Sequence, residues 1–227
     1  MFLTLKKRTI IIVLCGMLCL ASVITFFCVR QAASPALKYT IVIDAGHGGI
    51  DGGAVGKKTG ITESEINLEY AETLKGICES MGIRVVMTRK DMNGLYSPLA
   101  SNRKRSDMEK RKEIIEASGA DLVVSVHMNA YKKGSSRGAQ VFYGLDNERG
   151  KALASSVQDV LHSTTEYAKL TPKEGDFYIL NCTPLPGILV EFGFLSNPEE
   201  EALLASADYR QQMCYAVASG ILSFYEM

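Results

Sequence analysis

The sequence predicts an α/β fold, with a mostly parallel twisted sheet flanked by helices on both faces, in a single domain preceded by one apolar N-terminal segment. Three observations carry this reading. From Lys38 onward, short β-branched runs alternate with amphipathic stretches, the pattern of strand–helix crossovers. Hydrophobic residues make up 47% and charged residues 22% of the 227, enough to bury a core and too apolar for disorder. No internal repeat and no second domain is visible after the N-terminal segment.

Taken in order, strands are expected at Tyr39–Ile43, Ile83–Thr88, Leu122–Val126, Ala139–Tyr143, Phe177–Leu180 and Ile188–Val190, each a short run rich in β-branched or aromatic residues. The first helix is expected over Glu63–Met81, where Ile66, Tyr70, Leu74, Ile77 and Met81 recur at helical spacing and Gly82 follows as a stop. Thr62-Glu-Ser-Glu65 has the spacing of a capping box, which makes Glu65 structural. Further helices are expected at Ser106–Ala117, Asn147–Thr164, Pro198–Ala205 and Tyr209–Tyr225. The Lys- and Arg-dense stretch Arg103–Lys112 is interrupted by Asp107 and Glu109 and reads as a solvated helix face.

The first 30 residues differ from the rest. Ile10–Val29 runs twenty positions without a charge behind Lys6, Lys7 and Arg8, long enough to cross a bilayer with the body outside. A cleaved signal peptide is the rival reading, with small residues at Gln31-Ala-Ala-Ser34, but the apolar run is long for one. Cys15, Cys19 and Cys28 follow Leu14, Leu18 and Phe27, where lipoprotein processing needs a small residue. Residues 1–30 are therefore expected to be an anchor or uncleaved signal segment, 31–37 a linker and 38–227 the functional domain.

Beyond residue 30 the chain holds 21 basic and 25 acidic residues, so it lacks the positive field of a nucleic-acid binder. Cys78, Cys182 and Cys214 form no C-x-x-C pair and read as small buried apolar residues, leaving stability to the core.

A glycine-rich turn, Asp44-Ala-Gly-His-Gly-Gly-Ile-Asp-Gly-Gly-Ala-Val-Gly56, follows the first strand. It fits neither phosphate-loop template: Asp51 stands where a dinucleotide frame ending at Gly56 needs glycine, and Lys58 stands where a P-loop needs Ser or Thr. The glycines are better explained by a tight backbone turn around His47. His47, His127 and Glu191 each follow a predicted strand, and in an open parallel sheet those ends face one crevice. Each alone could be a hydrogen-bonded residue at a strand end. Together they suggest a site. By position Glu63 reads as a first-turn acid favoured by the helix dipole, and His162 as a surface or packing residue of its helix. Two imidazoles and one carboxylate would make a three-ligand zinc site with an open fourth position, the catalytic arrangement, for which Glu191 could serve as the base.

Val42-Ile-Asp-Ala-Gly-His-Gly-Gly-Ile-Asp-Gly-Gly53, Glu63-Ser-Glu-Ile-Asn-Leu68, Ser125-Val-His-Met-Asn-Ala130 and Val190-Glu-Phe-Gly-Phe-Leu-Ser-Asn197 resemble the zinc-dependent N-acetylmuramoyl-L-alanine amidases of the amidase_3 type. The resemblance spans nearly all of Tyr39–Tyr225 and is strongest toward the CwlD-type amidases of spore-forming bacteria. It implies that His47, Glu63 and His127 bind one zinc ion per chain and that Glu191 is the catalytic acid/base, against the positional reading of Glu63. Asn129 and Arg111 match recurring family positions and would support the site or bind substrate. Ala45 stands where the family usually has Pro, and Ile115-Glu116 where Ala-Asn is common.

The resemblance further implies peptidoglycan as substrate, with hydrolysis of the amide between N-acetylmuramic acid and the L-alanine of the stem peptide. The setting would be extracytoplasmic, held by the membrane anchor or secreted, at the forespore envelope during cortex maturation and germination. There a muramic acid deacetylase would act afterwards to form muramic-δ-lactam, and an activating protein is a further expected partner. The alternatives are an anchored zinc peptidase or deacetylase of the wall, and a non-enzymatic peptidoglycan-binding module. The segments Asp91–Arg105 and Leu170–Asp176 are expected to shape the substrate groove.

Overall fold

The computed structural model describes residues 16–22, 39–132 and 134–226. The chain divides into two units, Met1–Ala36 and Leu37–Met227. In the first, residues 16–22 are helical and exposed. The rest of the expected anchor, its cleavage residues and the linker lie outside the described residues. No helix among the described residues is long and apolar enough to cross a membrane.

In the second unit the elements run β1 (Tyr39–Ala45), α1 (Glu63–Ser80), β2 (Ile83–Met87), α2 (Arg103–Ala117), β3 (Leu122–Asn129), β4 (Gln140–Tyr143), α3 (Glu148–Thr164), β5 (Lys173–Glu174), α4 (Tyr178–Asn181), β6 (Gly187–Phe194), α5 (Pro198–Leu204) and α6 (Ala207–Glu226). The strands form one sheet in the order β2-β1-β3-β6-β4-β5. All pairings are parallel except β4 with β6, so the sheet is mixed.

Side-chain alternation along the central strands sorts the residues into two layers. Ile41 and Ile43, with Leu122, Val124, Val126, Ile188, Val190 and Phe192, face the large core beneath α1, α3 and α6. Val42, Val123 and Leu189 face a much smaller cluster, completed by Ile115 of α2 and by Ile179 and Leu180 of α4. Helices therefore cover both faces, but the second is covered thinly. The next residues of that second parity, Asp44, Ser125, His127 and Glu191, carry the polar chemistry toward the carboxyl ends of the strands.

Several expectations need correction. Phe177–Leu180 is no strand: Tyr178–Asn181 is a single helical turn, and β5, inside the expected loop Leu170–Asp176, takes the sheet edge beside β4. A four-residue apolar run cannot distinguish the two by periodicity, and here Ile179 and Leu180 are buried against a sheet face instead of in a strand. The capping box does not form. Thr62 is the N-cap of α1 but its hydroxyl pairs with that of Ser64 at 3.1 Å, and Glu65 is exposed. Helix α2 starts three residues earlier than expected because Asn102 caps it, accepting from Arg105 N at 3.0 Å. Half of Arg103–Lys112 is exposed, but Ser106–Met108 and Lys112 are half-buried and Arg111 is 2% exposed. Cys78 and Cys214 are buried and unpaired, whereas Cys182 is only half-buried.

Candidate active site

Strand β1 leads directly into the turn that carries His47. The backbone of His47 is left-handed at φ 60°, followed by Gly48 at 136° and Gly49 at 61°. A histidine pays a steric cost in that region, so the turn persists only where surroundings enforce it. Two buried arginines enforce it. Arg89, just after β2, donates from Nε to Ala45 O at 2.9 Å and from Nη2 to Gly46 O at 3.0 Å and to Ser64 O at 2.6 Å. Arg111 donates from Nη1 to Ala45 O at 2.8 Å and from Nη2 to His47 O at 2.6 Å. Glycine is required at 46, where a Cβ would collide with the His127 ring.

Arg111 is held in turn by Asp44 at 2.5 Å and Asp107 at 2.6 Å. Asp44 also accepts from Thr88 at 2.7 Å and Ser125 at 2.6 Å. Burial alone would raise the Asp44 carboxyl, but the Arg111 charge and these hydrogen bonds outweigh it and hold it at about 2.

Helix α1 begins at Glu63, whose side chain is buried and turned inward to meet both histidines. Its Oε1 lies 3.2 Å from His47 Nε2 and 2.9 Å from His127 Nδ1. Burial opposes charge on Glu63, yet the two imidazoles more than compensate and keep it well below the usual carboxylate range. Its Oε2 accepts from Ala54 N at 2.9 Å, and Asn67 Nδ2 reaches both Glu63 Oε1, at 3.4 Å, and Gly46 O, at 3.2 Å. His47 Nδ1 faces Asp51 Oδ1 at 2.9 Å, without the alignment of a full hydrogen bond. Burial disfavours the charged His47 ring, but Glu63 and Asp51 shift it upward overall.

One donor atom from each of His47, Glu63 and His127 lies within 4.8 Å of the others. Two imidazoles and a carboxylate at such separations suit a single divalent cation, and zinc takes this donor set with a position left open. The carboxylate behind His47 and the amide donors on Glu63 are the outer contacts that orient such ligands.

Glu191 stands beside His127 in the β3–β6 register and lines the same cavity of about 720 Å³. Its Oε2 is buried with no hydrogen-bond partner. Burial, reinforced by the Glu63 charge and opposed by the histidines, raises its carboxyl to about 7. Such a group can take and return a proton near neutrality.

The structure thus brings His47, Glu63, His127 and Glu191 to one cavity. Both His127 and Glu191 lie within their strands, which run two residues past His127 and three past Glu191, and not after them. Asn129 and Arg111 both line the cavity, but Arg111 is 2% exposed and directs its donors to Asp44, Asp107 and the His47 turn. His162 lies apart, its Nδ1 3.1 Å from Ala168 O. Sequence reading assigned no role to Arg89, Asn67 or Asp44. For Arg89 the available signal was a cation directly after a strand, at the sheet edge that also carries His47.

The profile of the Amidase_3 family, N-acetylmuramoyl-L-alanine amidase, matches residues 41–223. The chain belongs to this family.

Similarity among Amidase_3 proteins is distributed over the whole domain. The germination-specific N-acetylmuramoyl-L-alanine amidase of Bacillus subtilis is 34% identical over 189 residues, 82% of this chain and 79% of the relative. The uncharacterized protein YqiI of the same organism is 34% identical over 198 residues, 86% and 89% of the two chains. The CwlD amidase of Clostridioides difficile, solved in complex with the GerS lipoprotein, superposes with a TM-score of 0.79 at 34% identity, covering 83% of this chain and 99% of that one. This Amidase_3 chain is therefore a peptidoglycan amidase by family, an enzyme related to germination amidases.

Proposed function

We propose that this amidase hydrolyses the amide between the lactyl group of N-acetylmuramic acid and the L-alanine of the stem peptide, using one zinc ion held by His47, Glu63 and His127. The observation that carries the mechanism is the buried, unpartnered Glu191 Oε2 in the wall of the cavity that also holds the three donors. A zinc ion bound there supplies Lewis acidity, polarising a carbonyl and acidifying water. Glu191 Oε2 accepts a proton from the attacking water as the carbon–oxygen bond forms. It then returns that proton to the L-alanine nitrogen as the carbon–nitrogen bond breaks, so the amine leaves neutral and a lactyl carboxylic acid remains, which loses its own proton to solvent. The Arg89 and Arg111 contacts keep the His47 turn rigid, so the site needs little rearrangement during the reaction. Asn129 and the cavity wall orient the substrate.

The relationship to the germination-specific amidase and to CwlD supports a role in spore cortex maturation, upstream of a muramic acid deacetylase. The GerS complex of CwlD supports an activating lipoprotein as partner here as well. Such a role places the domain outside the cytoplasmic membrane, attached through residues 1–30 or secreted.

Mass spectrometry of muropeptides incubated with the protein, in zinc, in chelator and with zinc restored, tests the bond cleaved. Zinc-dependent release of intact stem peptides with N-terminal alanine is expected. Release of shorter peptides or of acetate would replace the amidase by a peptidase or a deacetylase. Glu191→Gln should lower turnover by about 10²-fold or more while leaving zinc content unchanged. Near-wild-type turnover with zinc bound would remove Glu191 from the mechanism.

A further inference from the structure

The catalytic cavity is lined by carboxylates, and apart from the proposed zinc ion its cations are few. Asp44 and Asp107 share the single charge of Arg111, and Asp51, Asp176, Glu63 and Glu191 also face it. Arg111 and Lys104 are the Lys and Arg residues that line it. Four of the five Arg111 donors are engaged within the protein: Nε binds Asp107, Nη1 binds Asp44 and Ala45 O, and Nη2 binds His47 O. Lys104 is exposed and within no salt bridge among the described residues, and its ammonium is near enough to Asp51 for the two charges to act on each other. Its neighbours on α2 are occupied, Arg103 over the Tyr96 ring at 5.6 Å and Arg105 with Glu109 at 2.8 Å.

Lys104 also occupies a particular place. A second hollow of about 470 Å³ adjoins the cavity, and the two share Lys104, Met108 and Tyr178. A flexible chain whose first amide lies at Glu191 and which leaves along this trough passes the Lys104 ammonium, flanked by apolar surface from Met108 and Tyr178. If the amidase reading above holds, that chain is the stem peptide. Its second residue is γ-linked D-glutamate, whose α-carboxylate is left free or amidated in different walls. A free carboxylate entering among Asp51 and Asp176 meets like charge, and Lys104 is the group positioned to offset it.

We propose that Lys104 is a specificity-determining residue that reads the free carboxylate of an acidic stem peptide at the mouth of the catalytic cavity. A solvent-exposed contact of this kind is a modest one, about two- to fivefold in kcat/KM. It is screened by salt.

The test measures kcat and KM of the full-length protein, loaded with zinc, on two soluble muramoyl-peptides that differ only in a free or amidated D-glutamate carboxylate. The wild type should prefer the free acid, through KM, with the preference shrinking as ionic strength rises. Lys104→Gln should bring the ratio of the two kcat/KM values toward unity, and Lys104→Arg should retain it. An unchanged ratio in Lys104→Gln, or equal wild-type use of both peptides, would overturn the proposal while leaving the amidase reading intact. Cleavage of the peptides at a bond other than the muramoyl amide would sink both.

Discussion

Arg89 shows how much a single side chain can decide at a site it does not enter. Its guanidinium bonds Ala45 O and Gly46 O in the His47 turn and Ser64 O beside Glu63, so it sets the spacing between two proposed zinc ligands. A lysine keeps the charge but loses the planar fork. Arg89→Lys is therefore expected to weaken zinc binding about tenfold or more, measured by competition with a chromophoric chelator, while far-UV circular dichroism stays unchanged. Unaltered affinity would reduce Arg89 to a packing residue. Glu63 illustrates the limit of reading such residues locally. At a helix start, a carboxylate is favoured by the dipole whatever else it does. Only the side-chain direction, toward His47 and His127, distinguishes ligand from cap, and the motif resemblance pointed there where position could not.

At the element scale, α3 and α6 pack closely through Gly220. A Cβ there would lie 2.6 Å from Val157 Cα, and the Gly220 carbonyl accepts from Ser156 Oγ at 2.8 Å. Alanine is the better helix former by about 1 kcal/mol. The collision is with backbone, which must move. Gly220→Ala should thus destabilise by about 1–2 kcal/mol despite its propensity, read from urea or thermal denaturation. A gain in stability would show that the helices separate freely. The long helices α1, α3 and α6 were legible because ten or more residues of amphipathic spacing outvote local noise. The single turn α4 was not, since four apolar residues carry no period and their fate depends on which sheet edge is free.

Across the whole molecule, the buried Asp44–Arg111 contact links stability to pH. The Asp44 carboxyl lies at about 2, below its ordinary value of 3.8, so its contribution is complete above pH about 4 and is lost as pH falls toward 2. The size is of order 2 kcal/mol. Denaturation midpoints of the wild type should therefore fall on acidification through this window. Asp44→Asn should be less stable at pH 6, with Arg111 left short of a partner, yet show a shallower fall between pH 4 and pH 2.5. An equal slope in both proteins would assign the acid sensitivity to other carboxylates.

Sequence by itself determined the α/β class, five of the six strands, the principal helices and the family, because these depend on hydrophobic period, turn residues and contiguous motifs. It also named the four residues now found at one cavity, though spacing alone could not bring them together. Tertiary structure decided the strand order, the antiparallel β4–β6 pairing and the thin cover of one sheet face. Val42 and Asp44, Val123, Ser125 and His127, and Leu189 and Glu191 share that face by the two-residue period of a strand. Whether such a row becomes core or cleft depends on what packs above it. Here, among the described residues, α2 and the turn α4 are the helices that do, and the polar ends of the row line the open cavity.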